Sequence, residues 1–269
     1  MQSKTISEIL SNGIPTAVGK IGFSEMKVLY AAQTSQRLTQ IDLHDIFVGA
    51  GVFPPDETGI SSFIEEMRVT LPEVDFLAKM GIDKHREDTV IDYFAKEAKT
   101  LQLRDLEPYY WDDPWSKQLK TKKVLIISPF TETMETQYKK REELWQQSNF
   151  LPAMKLEYLK CPLSYYIKKS KYSSWIEGLN NLKEKMSDKY FDICLIGAGA
   201  WSLPLACHAK KLGKIGIHLG GPLQILFGIK GKRWDEHEVI SSFYNENWVR
   251  PLSSENAENS TLVEGGCYW

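Results

Sequence analysis

The stretch that decides the fold is DICLIGAGAWSLPLACHAKKLGKIGIHLGG, residues 192–221. It begins with an apolar, β-branched run that stops at a glycine-rich turn, and a similar run near its end stops at Gly220-Gly221. Between these runs, residues 202–212 carry leucine and alanine at helical spacing and stop at Gly213. Short apolar runs bounded in this way are typical of parallel strands buried on both faces. The order strand, helix, strand therefore predicts a βαβ unit.

Further predicted elements extend this unit toward both ends of the chain. A clear strand at 122–129 precedes a helical pattern at 132–147, and a short strand at 17–22 precedes a helix that begins near Ser24. The weaker elements are strands at 74–80 and 155–160 and helices at 60–69, 88–101 and 175–186. This alternation predicts an α/β protein with a single Rossmann-like, doubly wound, mostly parallel sheet and helices on both faces.

We interpret residues 1–269 as one domain. Its predicted parts are an N-terminal half at 1–105, a seam at 105–123 with two prolines and two tryptophans, a C-terminal nucleotide-binding-like half at 124–252 and an aromatic tail at 253–269.

Composition and charge exclude several classes of protein. The 33 Lys and Arg residues balance 35 Asp and Glu residues, for a net charge of −2, and bulk binding of nucleic acid needs clustered positive charge instead. We see no apolar run long enough for a membrane helix and no signal-peptide pattern. The four cysteines are far apart and form no CxxC pair, which favours buried free thiols. These features predict a cytoplasmic protein that does not bind nucleic acid.

Residues suited to ligand binding follow the predicted strands. In open parallel sheets, ligands bind beyond the carboxyl ends of the strands, where glycine lets the backbone approach a ligand and helix N-termini face phosphate. The candidates at these ends are Gly19, Lys20, Gly22, Ser128, Gly197, Gly199, Trp201, His218, Gly220 and Gly221. They suggest a phosphorylated, nucleotide-like ligand. Two alternatives remain open, because Gly197-x-Gly199 lacks the third glycine of the dinucleotide fingerprint and His218 could be a core histidine.

A basic loop and an acidic residue add to these candidates. Residues 228–234 contain Lys230, Lys232 and Arg233, which form either a solvated loop or a clamp for a diphosphate or for the acceptor. Glu25 lies at the start of a predicted helix, where the helix dipole favours a carboxylate. Its role is therefore either structural, at the helix terminus, or catalytic or metal-binding. There is no GxxxxGK[ST] phosphate loop, no Gly-x-Ser-x-Gly elbow and no convincing zinc-ligand spacing in the sequence.

Residues 192–221 resemble the C-terminal βαβ unit of the GT-D-type glycosyltransferase family, bacterial enzymes that build glycan chains from sugar nucleotides. The stretches 124–133, 226–234, 247–251 and 264–269 resemble the same family. The resemblance covers nearly the whole chain and is strongest from residue 122 onward. It implies transfer of a sugar from a nucleoside-diphosphate sugar, with a UDP-sugar as our first choice, to a hydroxyl of a bacterial surface glycan, either a polysaccharide or the glycan of a glycoprotein.

The N-terminal turn of the family resembles residues 20–25, KIGFSE. The family pattern is Arg-x-Gly-Asp-Gly-Glu-like, and its Asp-x-Glu pair serves nucleotide-sugar and metal binding. Glu25 matches the Glu and Lys20 the basic residue, but Phe23 stands where the family has Asp. Half of the carboxylate pair that Mn²⁺ or Mg²⁺ would need is therefore missing, whereas Lys and Arg could offset the diphosphate charge instead.

The resemblance implies a role for each group of candidates. Glu25 would bind the donor or act as general base on the acceptor hydroxyl, and the strand-end residues with Lys230 and Arg233 would bind the sugar nucleotide. Four tryptophans would stack on sugar or base, with core packing as the alternative for each; they are Trp201, Trp234, Trp248 and Trp269, and we expect Trp201 to lie closest to the pocket.

The pathway implied by the resemblance bears on partners and location. A surface glycan grows on a lipid carrier, so that the acceptor could bring the protein to the inner face of the membrane. The rival hypothesis is a nucleotide-sugar-binding or assembly protein of the same pathway without transferase activity, which Phe23 favours. An oxidoreductase is disfavoured because the third glycine and a clear acidic ribose-binding residue are missing.

Overall fold

The computed structural model describes residues 4–145, 150–163, 171–256, 260–263 and 265–269. Within these ranges the strands form a single seven-stranded sheet in which every paired strand runs parallel, in the order β3-β2-β1-β7-β6-β4-β5. The strands are β1 (Thr16–Lys20), β2 (Phe76–Lys79), β3 (Lys99–Gln102), β4 (Lys123–Ser128), β5 (Lys155–Lys160), β6 (Ile193–Ile196) and β7 (Ile215–His218). The predicted Rossmann-like α/β sheet is confirmed, and strands of both predicted halves belong to it.

Helices connect the strands and cover the sheet. They are α1 (Lys4–Asn12), α2 (Phe23–Thr34), α3 (Gln40–Ala50), α4 (Glu57–Thr70), α5 (Lys84–Phe94), α6 (Thr131–Tyr138), α7 (Arg141–Leu144), α8 (Trp175–Ser187), α9 (Ser202–Lys211), α10 (Gly221–Leu226), α11 (Lys232–Asp235) and α12 (Glu238–Ser241). Short 3₁₀ helices occupy the predicted seam, where Trp115–Leu119 packs against α1. Among the described residues, no helix is long and apolar enough to cross a membrane.

The side chains of each strand alternate between two apolar layers, because successive residues of a strand point to opposite faces. The first face buries Ala17, Leu125 and Ile196 against α2, α3, α4, α5, α8 and α9. The second face buries Val18, Ile126 and Ile217 against α1, α6, α7, α10, α11 and α12. The two-sided burial explains why the central strands read as continuous apolar runs rather than as alternating ones.

The strand order creates a crevice at the carboxyl edge of the sheet. The chain leaves β1 toward α2 on the first face, whereas it leaves the neighbouring β7 toward α10 on the second face. The chain likewise leaves β6 toward the first face and the adjacent β4 toward the second. Connections that part in this way leave the strand ends open, which is where ligands of such sheets bind.

Two of the predicted helices are wrong in extent. The helix predicted at 88–101 ends at Phe94, and Lys99–Gln102 is an edge strand paired with β2. The pattern at 132–147 forms two short helices, α6 and α7, rather than one, and its last two residues lie outside the described ranges. Both errors fall in charged, solvent-facing segments, where the apolar spacing that distinguishes helix from strand is weak.

Candidate functional site

A cavity of about 700 Å³ opens at the carboxyl ends of β1, β4, β6 and β7. Its size lies in the range of small-molecule binding sites. Most of the predicted ligand-binding residues line it, namely Lys20, Gly22, Glu25, Ser128, Gly197, Gly199, His218, Gly220, Gly221 and Arg233. The fold therefore brings predicted residues from five separate segments of the chain to one place.

Gly19 and Lys230 were predicted to line the pocket, and both lie outside its lining. A Cβ atom on Gly19 would lie 2.5 Å from Leu203 Cδ1 and 2.9 Å from His218 Cβ, so this glycine lets α9 and His218 pack closely against β1. The Lys230 ammonium lies 5.1 Å from the ring centroid of Tyr244. Gly19 thus supports the site from behind, and Lys230 belongs to a neighbouring surface.

The prediction that Trp201 lies closest to the pocket is wrong. Its side chain is 1% exposed and packs over Gly178 of α8, and the indole N–H donates to the Trp175 carbonyl oxygen over 2.9 Å. The residue follows Gly199 in the chain, but its ring turns into the first-face core. A bulky amphipathic ring buries more apolar area there than it would at the cavity wall.

The other three tryptophans also pack elsewhere than the cavity. Trp234 lies against Gly221, Gly231 and the ring of Tyr268, and Trp248 is buried with its N–H donating to Leu144 O over 2.8 Å. Trp269 donates its N–H to Glu255 O over 3.2 Å. The tail does contribute to the cavity, but through Leu262 and Tyr268. Stacking on a sugar or base is therefore available to Tyr268 rather than to the predicted indoles.

Glu25 is a buried carboxylate at the cavity. It is the third residue of α2, and its Oε2 accepts a hydrogen bond from the Gly22 N–H over 2.8 Å, which caps the helix. Its side chain is 6% exposed, and burial raises its pKa to about 7, against the opposing effects of the Gly22 hydrogen bond and the Lys20 charge. A carboxylate with this pKa exchanges protons near neutral pH.

Lys20 and His218 lie on the neighbouring strands β1 and β7 and line the cavity together with Glu25. Burial lowers the pKa of Lys20, and Arg233 acts in the same direction, whereas Glu107 and Glu25 raise it. Burial and the Lys20 charge lower the pKa of His218 to about 3, so its imidazole is neutral at physiological pH. The cavity therefore combines a lysine whose charge is poorly solvated with a neutral histidine.

Ser128 and Phe23 meet the cavity in different ways. Ser128 is buried at the end of β4, and its Oγ accepts a hydrogen bond from the Phe130 N–H over 3.1 Å, so the hydroxyl holds the turn that leaves this strand. Phe23 is 40% exposed, and the Lys27 ammonium lies 4.9 Å from its ring centroid. The position at which the GT-D-type pattern has a carboxylate is therefore an apolar surface at the cavity.

Several lining residues were missed by the sequence reasoning. Ser24 of α2, His44 and Asp45 of α3, and Met80 and Ile82 after β2 all contribute to the wall. The helix α3 carries a signal that could have revealed it, since Thr39 and Asp42 form a capping box at its start. Nothing in the sequence near Glu107 indicated that this residue would act on Lys20 from the seam.

The lining residues do not fit a divalent metal ion. Such an ion needs several hard oxygen ligands, and Glu25 is engaged by Gly22 and lies beside the positive charge of Lys20. Asp45 is paired with Lys27 at 3.1 Å. Among the described residues, no group of three or more His, Cys, Asp or Glu side chains could hold a metal.

The arrangement can bind an anion and take up a proton in the same cavity. In comparisons with protein-family models, curated proteins and solved structures, nothing matches this chain.

Proposed function

We propose that this protein is a glycosyltransferase that moves a sugar from a nucleoside-diphosphate sugar to a hydroxyl group of a bacterial surface glycan. One observation carries the proposal: the cavity at the strand ends holds a buried carboxylate with a pKa of about 7 next to a largely buried lysine. Glycosyl transfer needs a base for the acceptor hydroxyl and a cation for the diphosphate that leaves.

Glu25 is the proposed general base. In a direct displacement, the acceptor oxygen forms a bond to the anomeric carbon while the bond between that carbon and the diphosphate oxygen breaks. The bonding electron pair leaves with the diphosphate, and the hydroxyl proton passes to the Glu25 carboxylate. A base with a pKa near the working pH is partly ionised and still holds the proton well once it has accepted it.

Lys20 and Arg233 are the proposed partners of the diphosphate. Both line the cavity, and the charge that develops on a departing diphosphate is stabilised by fixed positive groups in a site shielded from water. This arrangement supports a transferase that works without a bound metal. Gly197, Gly199 and Gly221 let the backbone approach the donor, and Tyr268 offers a ring to its sugar or base.

The test is a donor screen followed by an assay of one variant. The melting temperature of the protein is measured in the presence of UDP, GDP, CMP and dTDP sugars and of NAD(P), each with and without Mn²⁺. A ligand that binds the folded state raises this temperature. Transfer and donor hydrolysis are then measured for the donor that stabilises most. We expect Glu25→Gln to lower kcat about 100-fold or more, since a positioned base contributes that much.

The matched control is Glu184→Gln, which removes an exposed carboxylate of α8 far from the lining. It should leave kcat unchanged. Stabilisation by NAD(P) alone, or turnover that survives Glu25→Gln at full rate, would contradict the proposal.

The second candidate is a nucleotide-sugar-binding or assembly protein without transferase activity. It is favoured by Phe23, which places an apolar ring at the cavity where the family pattern has a carboxylate. This candidate predicts stabilisation by one sugar nucleotide with neither transfer nor hydrolysis, and equal stabilisation of the Glu25→Gln variant. In both cases we place the protein in the cytoplasm, where a lipid-linked acceptor would bring it to the inner face of the membrane.

A further inference from the structure

Gly220 leaves an unfilled point between two polar side chains of the cavity. Its φ of +67° is a conformation that side-chain-bearing residues rarely adopt. A Cβ atom built on Gly220 would lie 3.7 Å from Lys20 Nζ and 3.6 Å from His218 Nε2. Two nitrogen atoms from different strands therefore converge on one small space at the cavity wall, and no side chain of Gly220 fills it.

His218 presents its Nε2 to that space. The side chain is 5% exposed, and its Nδ1 is buried without a hydrogen-bond partner. Nε2 lies 3.6 Å from the Cβ position of Gly220, whereas Nδ1 lies 3.5 Å from the Cβ position of Gly19. In the neutral tautomer that carries its proton on Nε2, the ring can donate a hydrogen bond to an oxygen atom beside Gly220.

The charges around Lys20 favour an anion at this point. Arg233 repels Lys20, and Glu107 and Glu25 offset its charge only in part, because burial still lowers its pKa. An anion placed beside the ammonium would restore the stabilisation that burial removes, and buried cations gain most from such a partner.

We propose that this point is a phosphate subsite, in which Lys20 Nζ and His218 Nε2–H bind an oxygen of a diphosphate group and the missing side chain of Gly220 makes room for it. The identity of the remaining ligand as a sugar nucleotide rests on the proposed function, whereas the subsite requires only a phosphate-bearing ligand. The assignment separates Lys20 from Lys230 and Lys232, which the sequence offered as equal partners for a diphosphate.

The test is isothermal titration calorimetry at pH 7 with UDP, GDP, dTDP and inorganic pyrophosphate. We expect at least one of these probes to bind the wild type and Lys20→Met to weaken that binding about ten-fold or more, since a charge-assisted contact contributes this much. Gly220→Ala should weaken it about as much, because the new Cβ occupies the space of the phosphate oxygen. His218→Gln should weaken it less, because a neutral N–H donor contributes less than an ammonium.

Matched controls separate the subsite from general effects of charge and strain. Lys230→Met removes a lysine outside the lining. Gly213→Ala places a side chain at a glycine of similar φ, +76°, where nothing lies within 4 Å of the new Cβ. Both variants should bind the probe like the wild type. If Gly220→Ala fails to fold, Lys20→Met and His218→Gln carry the test.

The outcomes distinguish this proposal from the proposed function. Absence of binding by all four probes, or equal binding by the wild type and Lys20→Met, would overturn the subsite. Sugar transfer that is unaffected by Lys20→Met would overturn the subsite and the role of Lys20 at the diphosphate, and would leave a transferase that relies on Glu25 and Arg233. Probe binding that is lost in Lys20→Met, in a protein that neither transfers nor hydrolyses any sugar nucleotide, would support the subsite and overturn the transferase.

Discussion

Two buried regions of this molecule differ in the kind of side chain that they bury. The charged edge consists of Lys20, Glu25 and His218 at the cavity, and burial shifts the pKa of all three. The aromatic layer consists of Tyr109, Trp145, Phe243 and Trp248 on the second face, where rings pack on rings. Most of the tryptophans therefore serve in packing, whereas a few ionisable residues distinguish the candidate site.

The polar groups of the aromatic layer have hydrogen-bond partners outside the layer, in backbone carbonyls and in Glu107. Trp145 stacks on Tyr109 with centroids 5.9 Å apart and meets Trp248 edge-on at 5.0 Å. The indole N–H groups of the two tryptophans donate to Leu226 O and Leu144 O, over 3.0 Å and 2.8 Å. The two tryptophans therefore have no indole donor left for a ligand, whereas Nδ1 of His218 at the charged edge is unpartnered.

The largest effect is expected in the aromatic layer. Trp248→Ala should lower the free energy of unfolding by about 3–5 kcal/mol, since it opens a cavity between packed rings and removes the shorter of the two hydrogen bonds to the Leu144 carbonyl, which keeps the Asn245 amide at 3.3 Å. The affinity of the folded fraction for the sugar nucleotide should not change. Chemical denaturation and calorimetry measure the two quantities, and Tyr190→Ala, at a ring that is 66% exposed, is the control. Loss of affinity for the sugar nucleotide with little loss of stability would mean that the aromatic layer serves binding rather than packing.

The sequence was most informative about the sheet and the edge where ligands bind. The apolar run that ends at Pro129 predicted β4, and the two runs that end in glycine predicted β6 and β7. Lys20, Gly197 and His218 follow or end predicted strands, and they line one cavity. Both arguments use local patterns only, and parallel strands bring such local patterns together without further information.

The sequence could not reveal which aromatic residues face the cavity. Trp201 and Tyr268 are both amphipathic rings near strand ends or the tail, and only long-range packing decides that the first enters the core and the second lines the cavity. The effect of Glu107 on the pKa of Lys20 could not be predicted either, because the seam and β1 are distant in sequence and meet only in the fold.

The charged edge predicts a pH dependence of stability. The pKa of Glu25 rises from 4.5 to about 7 on folding, so that the folded state binds more protons between these values, and the free energy of unfolding falls as the pH rises through this window. Glu25→Gln keeps an oxygen acceptor for Gly22 and removes the charge. The variant should match the wild type at pH 4 and exceed its stability at pH 8 by up to about 3 kcal/mol.

Denaturation curves of both proteins from pH 4 to pH 8 measure this difference. His218 acts with the opposite sign, because its pKa falls to about 3 and its contribution is lost as the pH drops below 6.5. That contribution is common to both proteins and largely cancels in their difference. Parallel curves over the whole range would mean that Glu25 is not shifted and would remove the basis for its role as a base.

The smallest effect is expected at Glu255, which holds the tail near the cavity. Its buried carboxylate accepts hydrogen bonds from the Glu132 N–H over 2.8 Å, the Thr133 N–H over 3.2 Å and the Thr133 hydroxyl, and so fastens the tail to the start of α6. Glu255→Ala should cost about 1–3 kcal/mol, because it leaves these donors without a partner.

Unlike Trp248→Ala, this variant should also weaken donor binding about two-fold to five-fold, since the tail that it loosens carries Tyr268 to the cavity. Calorimetric titration of the stabilising sugar nucleotide measures the affinity, and Tyr268→Ala gives the limit for complete loss of the ring. If Tyr268→Ala weakens binding and Glu255→Ala does not, the tail reaches the cavity independently of its anchor on α6. If neither does, Tyr268 lines the cavity without contributing to binding, and the charged edge holds the sugar nucleotide.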